Sequence, residues 1–482
     1  MDIEVLRMFV SEMVIDKKCH NNKVLALAIF LKRSVSPQIL PMKNTPILKS
    51  SALVASSLTL LSWTSAIAGS PEVAATPEIS ESACEDLLLG DMWGLRRPAD
   101  TGIDFRFEAT NFYHGMVDGD RGRLNGNDDS MVFSGKLDFF MDIDGQKAGL
   151  WPGLFIKVHG EYRYGDTTNL GGVLSPVNVA MLAPAEEGEA FAFTNITVTQ
   201  ALSESFLVTA GKFNTVDLVD KLYYGGQGMS RFMNASLTVM PIAGRTFPIS
   251  TLGAVGTVLQ DGKPFVNFGV LDSISPTTSA GFDGLSSDEM TLFADITFRT
   301  DWDGRPGTHT LAGSFSTIDA TSLDQSDILR PPNVGGATPN VAGDSWQINY
   351  MWEQSLTRNP SAPGQGWGSF LFLALSDADP NPISYSAAVG LVSNGVGSSR
   401  PCDSFGIGLF YNGVSGELKD SVSFSALPNR GINLGDEFGA EIYYDFAVTD
   451  GFRVTADLQI IDPIDEDNGA AIFAGLRTRF IF

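Results

Sequence analysis

The sequence predicts an all-β fold, a transmembrane antiparallel β-barrel of about 16 strands with short periplasmic turns and long extracellular loops. Three observations lead there. The last fifteen residues, Asn468 to Phe482, place Phe482, Phe480, Thr478, Leu476, Ala474 and Ile472 on one face and Ile481, Arg479, Arg477, Gly475 and Phe473 on the other. A period of two with unlike faces is a strand between two surroundings, lipid on the greasy side and water on the side carrying arginines. Segments of this kind recur along the chain, joined by connections that alternate in length. A secretory leader stands ahead of them.

Composition narrows the class. The chain has 482 residues, 43% hydrophobic and 18% charged, with 50 glycines, and its mean hydropathy is +0.06. That is too polar for a helical membrane protein and too rich in aromatic and β-branched residues for disorder. No apolar run reaches the roughly 18 residues a spanning helix needs. Met42-Lys43 and Lys49 open a basic region, Ala52 to Trp63 is apolar, and Ala66-Ile67-Ala68 precedes Gly69. That is the layout of a signal peptide over 42–68, cleaved between Ala68 and Gly69. Residues 1–41 then read as an over-called start, with an unusually long leader as the alternative. Residues 69–101 form a periplasmic N-terminal segment, and 102–482 the barrel domain. Removing the eight Lys/Arg and four Asp/Glu of residues 1–68 leaves 24 basic and 52 acidic residues, a net charge of −28. Such acidity argues against nucleic acid as a partner and, for a pore, predicts a mild preference for cations.

The strands follow in order. The first, 102–112, sets Ile103, Phe105 and Phe107 against Asp104, Arg106 and Glu108. The second, 130–143, sets Phe133, Leu137, Phe139 and Met141 against Lys136, Asp138 and Asp142. The third, 151–164, sets Leu154, Ile156, Val158, Tyr162 and Tyr164 against Lys157, His159, Glu161 and Arg163. Further strands are read at 190–201, 204–213, 251–260, 264–273, 289–301, 307–319, 344–354, 367–377, 383–394, 404–414, 437–449 and 452–461, before the closing strand. If the last strand descends to the periplasm, the turns at Asp450, Asp261 to Lys263 and Leu202-Ser203 are periplasmic and short. The connections near 113–129, 165–189, 214–250, 274–288, 320–343 and 415–436 are then extracellular and mostly long, the asymmetry of outer-membrane barrels. Connections at 144–150, 355–366 and 395–403 are long for periplasmic turns. Of the cysteines, Cys84 precedes the first strand and Cys402 lies in the 395–403 connection, on the same side of the membrane. A disulfide between them is therefore allowed, not required.

Several stretches stand out along the chain: Gly90-Asp91-Met92-Trp93-Gly94-Leu95-Arg96, Gly211-Lys212-Phe213-Asn214-Thr215-Val216-Asp217, Arg231-Phe232-Met233-Asn234, Asn381-Pro382, Arg400-Pro401-Cys402-Asp403-Ser404-Phe405-Gly406, Glu441-Ile442-Tyr443-Tyr444 and Asp457-Leu458-Gln459-Ile460-Ile461. As an ordered set they resemble the carbohydrate-selective porin (OprB) family of Gram-negative outer membranes. Where the family tends to have Gly-Gly after Trp93, this chain has Gly94-Leu95. The resemblance implies a sixteen-stranded barrel in the outer membrane, with inward-folded loops that narrow a channel passing monosaccharides passively. It also implies sugars as solutes, lipid around the wall, and assembly machinery that reads the last strand and its terminal Phe482. No cofactor is implied.

Candidate pore-lining residues follow from parity. Early strands offer Arg106, Glu108, Lys136, Asp138, Lys157, Glu161 and Arg163; late strands offer Glu441, Asp445, Arg453, Asp457, Arg477 and Arg479. Opposed carboxylates and arginines suit sugar hydroxyls, and a transported polyol wants many weak partners rather than one strong one. The plainer alternative is that they solvate the lumen or brace the wall. The connection at about 214–250, the longest, is the candidate constriction loop, with Tyr223, Tyr224, Arg231 and Asn234 close together; a surface loop ordered by its own aromatics is the alternative. His114, His159 and His309 lie on separate elements, and no phosphate loop, nucleophile elbow or metal spacing exists, so no catalysis and no metal are expected. Two other readings stay open: a general, weakly cation-selective diffusion pore, and a structural barrel plugged by 69–101.

Overall fold

In a computed structural model, residues 101–119, 131–167, 172–184, 190–219, 221–273, 289–324, 340–359, 365–423, 433–449 and 451–482 are described. The expected leader, the Ala68–Gly69 cleavage site, the 69–101 segment and Cys84 lie outside them. The strands are β1 (Ile103–Asp118), β2 (Met131–Asp144), β3 (Leu154–Gly165), β4 (Ala190–Ser203), β5 (Phe206–Asn214), β6 (Ser250–Gln260), β7 (Lys263–Asp272), β8 (Met290–Asp301) and β9 (Pro306–Ser316). The two-residue strands β10 (Ala320–Thr321) and β11 (Val341–Ala342) pair only with each other. Then come β12 (Ser345–Ser355), β13 (Gly366–Ser376), β14 (Ile383–Val396), β15 (Arg400–Val414), β16 (Glu437–Thr449), β17 (Phe452–Asp462) and β18 (Ala471–Ile481). Each barrel strand pairs antiparallel with its neighbours, β9 passing directly to β12, and β1 meets β18 to close a sixteen-stranded barrel.

Why these segments are strands is plainest on β12. Trp346, Ile348, Tyr350 and Trp352 take one face, and Ser345, Gln347, Asn349, Met351 and Glu353 the other. Ile348 is 52% exposed while Gln347 is 1%. Exposed apolar and buried polar side chains invert the pattern of a soluble protein, as a wall between lipid and a filled interior requires. Among the described residues no helix is long and apolar enough to cross a membrane.

The connections differ between the two ends of the barrel, with 145–153 and 356–365 the long exceptions at the end of short turns. At one end β4–β5, β6–β7, β14–β15 and β16–β17 are joined by two or three residues; at the other, 166–189, 215–249, 317–344 and 415–436 intervene. The β6–β7 hairpin turns on Asp261 (φ 54°) and Gly262 (φ 71°) alone, the left-handed pair that matches strand twist. The start of β1 and the end of β18 also lie at the short-turn end, which is the periplasmic end by the asymmetry of such barrels.

Three expectations change. The first strand does not stop at 112 but runs to Asp118, because β18 goes on pairing with it as far as Ile472. The 395–403 connection shrinks to residues 397–399, since Arg400 pairs with Val396 and Asp403 accepts both arms of the Arg400 guanidinium at 2.7 Å. Cys402 therefore sits on β15 rather than in a connection; it is disulfide-bonded, with its partner outside the described residues. The 415–436 connection opens with a helix, α1 (Gly416–Ser423). Asp436 ties it to the barrel: burial alone would raise this carboxyl, but Lys419, Tyr411 and the Val414 amide outweigh burial and hold it below the usual carboxylate range.

Candidate functional site

Two of the long connections return into the barrel, as segments 172–184 and 215–249, and the wall receives them in two different ways. On β13–β15 the inward face alternates glycine with aromatic or aliphatic residues: Gly368, Phe370 and Phe372, then Ala388, Gly390 and Val392, then Gly406, Gly408 and Phe410. Into these hollows go Tyr223, Tyr224, Phe232, Leu237 and Ile242 of the longer segment, all fully buried. The Phe232 ring meets Tyr443 edge-on at 5.0 Å, and Tyr224 meets Phe370 at 5.1 Å. A Cβ at Gly368 would stand 2.1 Å from the Tyr223 ring, so only glycine seats that tyrosine.

The main chain of the inward segments is held by wall carboxylates. Glu353 accepts the amides of Leu222, Tyr223 and Tyr224 at 3.2, 2.7 and 2.8 Å. Glu441 accepts those of Met233 and Asn234 at 2.5 and 2.9 Å, and Glu437 those of Leu174 and Ser175 at 2.5 and 3.1 Å. Arg477 works in the opposite sense, donating to the carbonyls of Gly228 and Arg231 at 2.6 and 2.9 Å, and Arg163 donates to that of Met181 at 2.9 Å. Charged side chains gripping backbone groups make stronger bonds than neutral pairs do.

On β1–β3, β17 and β18 the wall is a charge lattice. Glu108, Asp138 and Glu161 stand directly opposite one another across β1, β2 and β3. Three carboxylates in a row repel, and cations fill the diagonals. Arg479 lies 2.7 Å and Arg106 3.1 Å from Glu108. Lys136 bonds Glu161 and lies 3.4 Å from Asp138. His159 bridges the wall to the longer segment, with Nε2 2.9 Å from Asp138 and Nδ1 3.0 Å from Asp217, itself bonded by Gln227. Donor atoms of Asp138, His159 and Glu161 lie within 4.8 Å of one another, as in a metal site. The Lys136 ammonium already supplies the cation there. On the next strands Asp445 bonds Arg453 at 2.6 Å and Thr455 at 2.7 Å, and Asp457 accepts from Gln459 at 3.1 Å.

The residues singled out from sequence divide accordingly. Glu108, Glu161, Arg163, Glu441, Asp457, Arg477 and Asn234 are buried and spent on protein partners. Tyr223 and Tyr224 have no exposed surface to offer a solute, and Arg231 donates to the carbonyls of Lys221 and Tyr224 at 2.9 and 3.0 Å. Arg479 is nearly covered beside Glu108, whereas Arg106 stays 42% open, its guanidinium 4.4 Å above the Phe140 ring. Lys157 stands apart from the lattice, half-exposed and 3.7 Å from an equally open Asp142. Sequence reasoning passed over Glu353, Glu437, Asp217 and Gln227. Parity put both glutamates on the inward face, which was the available signal.

Comparison with known proteins agrees with this geometry. Residues 129–482 match the carbohydrate-selective porin, OprB family. A search of curated proteins finds Porin B of Pseudomonas aeruginosa, 25% identical over 190 residues; the match spans 37% of this chain and 41% of that protein's length. The high-pH structure of Pseudomonas putida OprB superposes with a TM-score of 0.71 at 19% identity, covering 83% of this chain and 99% of the other. That likeness establishes the fold, and the family and fold are those of channels rather than enzymes. With the matched residues covering most of the chain, it belongs to the carbohydrate-selective porin, OprB family, the β-barrel porins of Gram-negative outer membranes.

Proposed function

We propose that this chain passes monosaccharide-sized carbohydrates by passive diffusion into the periplasm. The observation that carries the reading is charge compensation inside the wall: Glu108 with Arg106 and Arg479, Glu161 with Lys136, Asp445 with Arg453. Charges paired and buried in this way leave little net field along the passage. An ion gains little from such a weak field, and a neutral polyol loses nothing in it. The inward segments narrow the barrel, and family membership supplies the solute class.

Liposome swelling with the full chain tests this. Glucose is expected to enter faster than sucrose and faster than a non-carbohydrate of glucose's size. Rates that follow size alone, together with a K⁺ preference in planar bilayers, would instead establish a general, weakly cation-selective pore.

A further inference from the structure

The inward face of β4–β9 belongs to neither surface described above. Its polar side chains pair across strands: Thr199 with Thr209 at 2.8 Å, and Thr297 with Thr310 at 2.9 Å. Between these pairs, Thr257, Asn267 and Asp295 stand directly opposite one another on β6, β7 and β8. Thr257 donates to the Asn267 carbonyl oxygen at 2.8 Å, and the Asn267 amide donates to Asp295 Oδ1 at 3.0 Å. The chain of donors thus runs one way and ends on a carboxylate. All three residues are partly exposed, where the inward residues Phe370, Phe372 and Val392 across the barrel are fully covered. Among the described residues, no hydrogen bond from an inward segment reaches the trio, and Asp295 Oδ2 accepts none.

We propose that Thr257, Asn267 and Asp295 form a solute-contacting subsite for neutral polyols of the carbohydrate class. Toward the lumen the trio offers an acceptor at Asp295, a spare amide N–H at Asn267 and hydroxyl lone pairs at Thr257. Neighbouring strands hold these groups about 4.8 Å apart, the scale of one sugar ring. Its neighbours in the row, Ala201, Leu207 and Ala312, are apolar and set the trio off as a distinct polar patch. The assignment rests on the carbohydrate reading above, and the test separates the two.

The full chain is placed in planar bilayers and D-glucose is titrated while the ion current is read. Wild type is expected to show saturable block. Asp295→Asn, which preserves size, is expected to raise the half-saturating glucose concentration about tenfold, the loss of one charge-assisted bond. Thr257→Val is expected to raise it about threefold, with heat-modifiable gel mobility reporting an intact barrel in both. If wild type saturates and both variants saturate at the same concentration, the subsite is overturned and the carbohydrate reading stands. If Asp295→Asn alters only the K⁺/Cl⁻ ratio, the carboxylate selects ions and the subsite is again overturned. If wild type shows no saturation, the carbohydrate reading fails and takes the subsite with it.

Discussion

The two flanks of the barrel hold the same inward segment by opposite physics. On β13–β15 the wall is a set of hollows between glycines, filled by Tyr223, Phe232 and Leu237 through apolar contact. On β1–β3 it is a lattice of carboxylates and cations that touches the segment chiefly through His159 and Asp217. Packing of the first kind fixes position closely, because interiors tolerate neither voids nor overlap. A charge lattice is more forgiving in shape and far less so in charge balance, since removing one partner leaves the other buried and uncompensated. One flank therefore sets where the segment sits, and the other sets the field that a passing solute meets.

Substitutions can break this contrast. Glu353→Ala should act most strongly. It strands three amides at once, each worth roughly 1.5–3 kcal/mol when bonded to a charge. Single-channel records should show a larger, noisier current with ion selectivity unchanged; a quiet current of wild-type size would mean the apolar hollows suffice. Gly368→Val comes next, forcing a branched side chain into the Tyr223 ring at a cost of about 1–3 kcal/mol. Noise should again rise without a selectivity change, and a normal record would show the seat to be looser than the contacts imply. In the lattice, Glu108→Gln should leave the segment in place but free Arg106 and Arg479, moving the K⁺/Cl⁻ reversal potential toward anions. A noisy channel of unaltered selectivity would erase the distinction between the flanks. The smallest effect belongs to Lys157→Ala, an open lumen residue whose loss should change thermal stability by no more than about 0.5 kcal/mol, read as an unshifted heat-modification temperature.

Much of the wall was legible in the sequence because lipid on one side and a filled interior on the other impose the same alternation on every strand. The sixteen segments read from that alternation are the sixteen barrel strands, with the largest errors at the end of β1 and the start of β15. At Arg400 the strand signal is masked by Gly397, Ser398 and Ser399, which look like loop, while the Arg400–Asp403 pair that extends the ladder is visible only in three dimensions. The site was harder to read. Phe370, Phe372 and Phe410 share their strands with apolar residues on the other face, so parity could not say which face met lipid. What covers them lies more than a hundred residues away in sequence. Tyr223, Tyr224 and Arg231 have the chemistry of polyol contacts, but flat rings and a planar guanidinium serve equally well to dock a segment on a wall, and here they do so. The polar row on β6–β8 was overlooked because Thr257 and Asn267 carry no charge to draw attention, and the pairing that sets Asp295 beside them is visible only in the fold.

Glu353, Glu441 and Glu437 clasp peptide N–H groups, and every amino acid except proline presents the same one. Such a grip is blind to side-chain identity. Residues along the inward segment can be exchanged while the clasps stay shut, provided the few that fill the glycine hollows are spared. The barrel thereby separates fastening from tuning, and mutation can revise what the narrow passage prefers without first loosening the part that narrows it.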